Sequence, residues 1–120
     1  MIMYWIKVKC SNDVMQGDVL AFNEVQSVWK KAATLTTPLG VAREDASQYN
    51  DTAEFVVKMQ MEGQIQAKAS RDIPNQGGEM NVENGAVYVD NNADHDGIIC
   101  PNHLEAAARV AGDLIEVVIR

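Results

Sequence analysis

Aromatic residues make up only 6% of this 120-residue chain, so Val, Ile, Leu, Met and Ala must fill its core. Cysteine is scarcer still. The two present, Cys10 and Cys100, lie 90 residues apart, which supplies neither a disulfide framework nor paired zinc ligands. They read as two small thiols in or near a core, in a reducing compartment. With 3 Pro and 8 Gly, the chain is neither fibrous nor low-complexity. No stretch approaches the ~20 apolar residues of a membrane span. The segment Met1-Ile2-Met3-Tyr4-Trp5-Ile6-Lys7 lacks the basic leader and small-residue cleavage site of a signal peptide. The expectation is therefore a soluble product that is not exported by the usual route, in which the sequon Asn50-Asp51-Thr52 is only a turn. Positive charge is also short: 10 Lys and Arg against 17 Asp and Glu give a net charge of −7. Such a chain repels phosphate backbones and anionic lipid, so neither nucleic acid nor a membrane is expected as a partner.

What is present belongs to one folded domain, with 47% apolar and 22% charged residues. The dominant pattern has period two. Ile2, Tyr4, Ile6, Val8 and Cys10 alternate with Met3, Trp5, Lys7 and Lys9, as in a strand with one aliphatic face. Gly17 opens a strand from Asp18 to Phe22, and Asn23-Glu24 turns it into a second over 25–30, a hairpin in which Trp29 faces the core. Leu39-Gly40-Val41-Ala42 reads as a short strand after Pro38, and 44–52 as a polar loop. Two longer strands follow over 53–61 and 64–69, turning at Glu62-Gly63. The 71–78 stretch, with Pro74 and Gly77-Gly78, breaks the chain, and an Asn84-Gly85 turn separates strands over 79–82 and 86–89. Another strand ends at Cys100, 103–110 has the Leu and Ala content of a two-turn helix, and 112–119 closes the chain as a strand. Gly17-Asp18-Val19-Leu20, Gly85-Ala86-Val87-Tyr88 and Gly112-Asp113-Leu114-Ile115 echo one another as glycine-led strand starts of the kind found at barrel corners. The fold class is all-β: a small antiparallel β-barrel or β-sandwich of some eight to ten strands, with at most one short helix.

Few residues carry recognisable chemistry. Asp90, Asn92, Asp94 and Asp96 place oxygen donors at alternate positions like a calcium loop. The sixth and twelfth positions, however, are His95 and Pro101 instead of Gly and Glu. The segment reads as an acidic turn, with those four residues kept as candidate cation ligands and no cofactor expected. Cys100, His103 and Asp96 contain the atoms of a nucleophilic triad without any feature that would activate the thiol. The remaining acids read as solvated faces, and no phosphate-cradling loop is present. No enzymatic activity is expected. Trp5 faces away from the aliphatic row and is the better candidate for an interface aromatic.

The succession Gly17-Asp18-Val19, Val28-Trp29-Lys30-Lys31-Ala32, Leu39-Gly40-Val41-Ala42 with Asp45-Ala46, Val57 to Gly63, Asn84-Gly85-Ala86-Val87-Tyr88 and Gly112-Asp113-Leu114-Ile115-Glu116-Val117 resembles the small capsid decoration, or cement, proteins of tailed bacteriophages. The resemblance covers residues 17–120. It implies a β-tulip-like domain over 17–120; residues 1–16 precede the matched region, depart from the family's pattern and carry an edge-type strand, read as an N-terminal strand or arm. It also implies a non-enzymatic virion protein, made in the host bacterial cytoplasm, that sits as a homotrimer on the outer face of the viral head and clamps the major capsid protein. Met1 to Cys10 is then expected to add a strand to a neighbouring subunit or to the capsid protein. Ile2, Tyr4, Trp5, Ile6 and Val8 would form the interface, and deletion of 1–10 would leave a folded domain. The alternative is a trimeric receptor- or glycan-binding knob of a tail or head fibre. A knob would carry clustered aromatics at loop tips, whereas loops 44–52, 70–79 and 90–97 contain only Tyr49.

Overall fold

Leu39-Gly40-Val41-Ala42 has no polar residue, and all four are buried. Strand side chains alternate between two faces, so such a run must lie between two cores. The computed structural model describes residues 5–35, 39–90, 97–101 and 109–120, and within it this strand does separate two apolar clusters.

The first sheet contains β1 (Trp5–Cys10), β2 (Val19–Asn23), β3 (Val28–Lys31), β4 (Leu39–Ala42), β5 (Ser47–Gln48) and β6 (Phe55–Gln60). Its order is β1-β3-β2-β4-β6-β5, and β1 also pairs with β6, so five of the strands close into a small barrel. The second sheet contains β7 (Gly63–Lys68), β8 (Gly78–Glu83), β9 (Ala86–Val89), β10 (Ile98–Cys100) and β11 (Leu114–Ile119), in the order β7-β11-β10-β8-β9. Pairing is antiparallel between these strands except for one parallel partnership, Cys10 with Trp29, where β1 meets β3. Among the described residues there is no helix, and the fold is the expected small all-β one. The helix expected over 103–110 falls mostly outside the described residues; Arg109 itself bridges Ile73 in extended backbone.

Cys10, Val14, Leu20, Ala42, Val57 and Met59 fill the first barrel. A larger cluster joins Val19, Leu39 and Val41 of the first sheet to Met80, Val82, Ile98 and Val117 of the second. Successive residues of β2 and β4 thus feed different cores, which is why neither strand shows polar alternation. Gly40 points into the smaller core, and a Cβ there would stand 2.5 Å from Met59 Cγ.

The turns follow their residue chemistry. Asn84 and Gly85 have φ of 51° and 79°, the paired positive values of a type I′ hairpin, and they join β8 to β9. Gly17, at φ 89°, sits in a different turn, in which the Asp18 N–H donates to the Met15 carbonyl at 3.0 Å. Gly85 therefore does not belong with Gly17 and Gly112 in the glycine echo. The eleven strands among the described residues exceed the expected count because the two-residue β5 lies within the 44–52 loop. Of the arm expected over 1–16, residues 1–4 lie outside the described residues; from Trp5 on, β1 runs along β6 from Trp5–Gln60 to Cys10–Phe55 and is a wall of the first barrel.

Candidate docking surface

Alternation along β1 puts Val8 and Cys10 over the first core and turns Trp5, Lys7 and Lys9 outward. Trp5 and Ile6 remain 41% and 50% exposed. Val8 packs against the first core, so of the residues expected at an interface it belongs inside. Its apolar character was ambiguous in sequence, because a strand wall and a docking strand both require it. Ile2 and Tyr4 lie outside the described residues. Trp29 is half-buried on the first core, with its ring edge-to-face to Phe22 at 5.7 Å, as expected of a core aromatic.

The outward face of β1 meets β6 at Lys58, which pairs with Lys7. The Lys58 ammonium also lies 4.8 Å from the centre of the Trp5 ring, a cation–π contact that holds the indole against the wall. Lys9 pairs with Glu54 at 3.1 Å. Lys7 and Lys58 have no carboxylate within ion-pair distance among the described residues. Sequence alone places Lys7 and Lys9 beside Trp5, but the arrival of Lys58 depends on a strand pairing that spacing does not reveal.

The other edge of β1 is nearly bare. Ser11 N–H donates to the Trp29 carbonyl at 3.1 Å, so the backbone groups of residue 11, and by alternation those of 9, 7 and 5, point away from β6. Beyond the Cys10–Trp29 partnership β3 turns off, leaving Trp5 and Lys7 with outward main-chain groups that no described strand takes up. A cleft of about 530 Å3, lined by Lys9, Ser11, Gln26, Ser27, Lys30 and Phe55 among others, opens where the two strands part.

The remaining candidates differ. Asp90 donates its N–H to the Glu79 carbonyl at 2.8 Å, while Asn92, Asp94 and Asp96 lie outside the described residues, as does His103. Among the described residues no cluster of three metal-ligating side chains occurs. Cys100 is fully buried, and Arg109 donates to its sulfur through Nη1 at 3.0 Å. Burial raises the thiol above its ordinary range against the lowering effect of Arg109. Burial, aided by Asp13, pushes Cys10 up to about 11. Both sulfurs are protonated and enclosed, the opposite of an activated nucleophile. Asp18 reads in sequence only as a strand start, yet it is one of two buried polar residues among those described. Its carboxylate accepts the Met15 N–H at 2.8 Å and lies 4.0 Å from Lys31 Nζ. No described helix is long and apolar enough to cross a membrane.

No protein-family model, curated protein or solved structure matches this chain.

Proposed function

We propose that this protein is a bacteriophage capsid decoration protein that binds the outer surface of the head and stabilises the lattice of the major capsid protein, with the outer side of β1 as its docking surface. The observation that carries the reading is the exposed, outward-facing Trp5 beside a strand edge that no described strand pairs, on a barrel whose described chemistry offers no activated nucleophile or metal cluster. Aromatic anchors next to open backbone groups suit strand addition to a partner. A repeated lattice would multiply such modest contacts into avidity, and a homotrimer would multiply them further. The net charge of −7 keeps copies apart in solution until the assembled shell offers a composite site.

The test is the native mass of the purified protein alone, followed by sedimentation with assembled shells of the source virus. Pelleting at a fixed number of copies per shell supports the reading, and the native mass gives the binding unit. A stable trimer that ignores shells would sink it in favour of a fibre knob, with glycan screening as the next step.

A further inference from the structure

The chain is acidic, yet its charge is unevenly spread. Residues 1–60, which contain the strands of the first barrel, carry six Lys and Arg against seven Asp and Glu; residues 61–120 carry four against ten. Within the first barrel, Lys7 and Lys58 stand directly opposite each other across β1 and β6. Because residue 7 points its backbone away from β6, this is the closer, non-hydrogen-bonded kind of pair, with Cα atoms about 4.5 Å apart in regular sheets. Like charges so placed destabilise a sheet. Among the described residues no carboxylate lies within ion-pair distance of either, and Glu54 is held by Lys9 at 3.1 Å.

Such a pair sits at the edge where no described strand takes up the outward main-chain groups of Trp5 and Lys7, so the missing negative charge and the missing strand fall in one place. We infer that β1 docks an acidic segment of a partner protein, bound in extended conformation along the edge from Trp5 to Lys9, with its carboxylates seated over Lys7 and Lys58 and its apolar side chains against Trp5. The inference rests on the reading of β1 as the docking surface and names the chemistry of what docks there. Edge lysines commonly keep a strand from pairing with copies of itself. Here an antiparallel β1–β1 contact would bring lysines of both copies together, so the same residues that admit an acidic strand reject a second copy.

The experiment uses the full chain and three synthetic ten-residue probes: alternating Glu and Thr, alternating Lys and Thr, and the Glu–Thr peptide with proline at every second threonine. Amide shifts are followed by NMR, with an oligothymidylate of ten nucleotides as a further probe. The Glu–Thr peptide should shift the amides of residues 5–9 and bind more weakly as salt rises. The Lys–Thr and proline peptides should not. Lys7→Glu with Lys58→Glu should weaken Glu–Thr binding by about tenfold or more and admit the Lys–Thr peptide. Thermal unfolding establishes that this variant is folded, and Lys7→Gln with Lys58→Gln serves if it is not. Equal binding of the proline peptide would overturn strand addition. Equal binding of the oligothymidylate at the same amides would overturn an acidic peptide as the ligand, and shifts elsewhere would overturn the site. Shells bound equally well by the charge-reversed protein would sink this inference and leave the proposed function standing. Peptide binding without shell binding would do the reverse.

Discussion

Asp18 and Asp113 close two copies of one turn. The Met15 N–H donates to Asp18 Oδ2 at 2.8 Å, and the Val110 N–H to Asp113 Oδ2 at 3.0 Å. Each turn then grips the end of a neighbouring strand. Gly17 N–H donates to the Ala42 carbonyl and Ala42 N–H to the Asp18 carbonyl, both at 2.9 Å; Gly112 and Ala69, then Ala69 and Asp113, repeat this at 2.8 and 2.9 Å. The registers Val19–Val41 and Leu114–Lys68 follow in the same way. A Gly-Asp step before a strand is thus a device used twice, once in each sheet. The first copy also ties the sheets together, since Gly17 O accepts from Lys68 and Val19 N–H donates to Gly85.

The two glycines should differ in their tolerance of alanine. Both have strongly positive φ, 89° at Gly17 and 95° at Gly112, which costs an L-residue about 1–2 kcal/mol. A Cβ at Gly17 would also stand 2.4 Å from Leu114 Cδ2 and 3.1 Å from the Lys68 nitrogen, whereas nothing lies within 4 Å of one at Gly112. Gly112→Ala should cost about 1–2 kcal/mol in urea unfolding, and Gly17→Ala about 1–3 kcal/mol more. Equal losses would mean that the junction at Gly17 relaxes freely.

Asp18 should reveal itself through pH. Burial raises its pKa above 3.8, outweighing the Met15 hydrogen bond and the nearby Lys31 and Lys68 charges that lower it. The folded state then holds this proton more tightly than the unfolded chain, so its contribution to stability falls as pH rises from about 3.8 through the folded value. Asp18→Asn keeps an acceptor for Met15 and cannot ionise. It should match the wild type near pH 3.5 and equal or exceed it at pH 7. Asp18→Ala, which leaves the Met15 N–H without its acceptor, should lose about 1 kcal/mol at either pH. An Asp18→Asn protein that loses stability relative to the wild type as pH rises would show that the lysines outweigh burial.

Local chemistry made most strands legible. β4 and the β8–β9 hairpin follow from an apolar run between breakers and from Asn84-Gly85, and the outward row Trp5, Lys7, Lys9 follows from period two. What stayed hidden depends on partners far along the chain. Nothing local to residues 1–10 says that β6 will lie beside β1, so the segment looks like a free arm and Val8 like an interface residue. The same pairing brings Lys58 against Lys7, which is why the charge at the proposed docking surface escaped notice. Asp18 looks like an ordinary acid at a strand start, and nothing local to it announces its burial near Lys31 and Lys68.

Gly40 and Met59 should prove coupled. A Cβ at Gly40 would meet Met59 Cγ at 2.5 Å and Sδ at 2.6 Å, so Gly40→Ala should overpack the small core by about 1–3 kcal/mol. Met59→Ala, in a fully buried position, should leave a cavity costing about 2–5 kcal/mol. In the double variant the added methyl enters space that the methionine vacated. Its loss should therefore fall short of the sum of the two by about 1 kcal/mol or more, a shortfall that chemical unfolding of the four proteins would measure. Strict additivity would mean that the two residues do not share the core.

Removing residues 1–10 should unfold the first barrel instead of releasing a competent domain. β1 pairs with six consecutive residues of β6, and Cys10 packs with Val57 and Met59 in a core of six buried side chains among the described residues. Without β1 that core loses a wall and β6 gains an open, apolar edge. The truncated chain should melt without a cooperative transition, or aggregate, so loss of shell binding on truncation would say nothing about docking. The charge reversal of Lys7 and Lys58, which leaves the pairing of β1 with β6 in place, separates the two roles. A truncated protein that melts cooperatively near the wild-type temperature would instead make β1 an accessory strand, and the expectation of a detachable arm would stand.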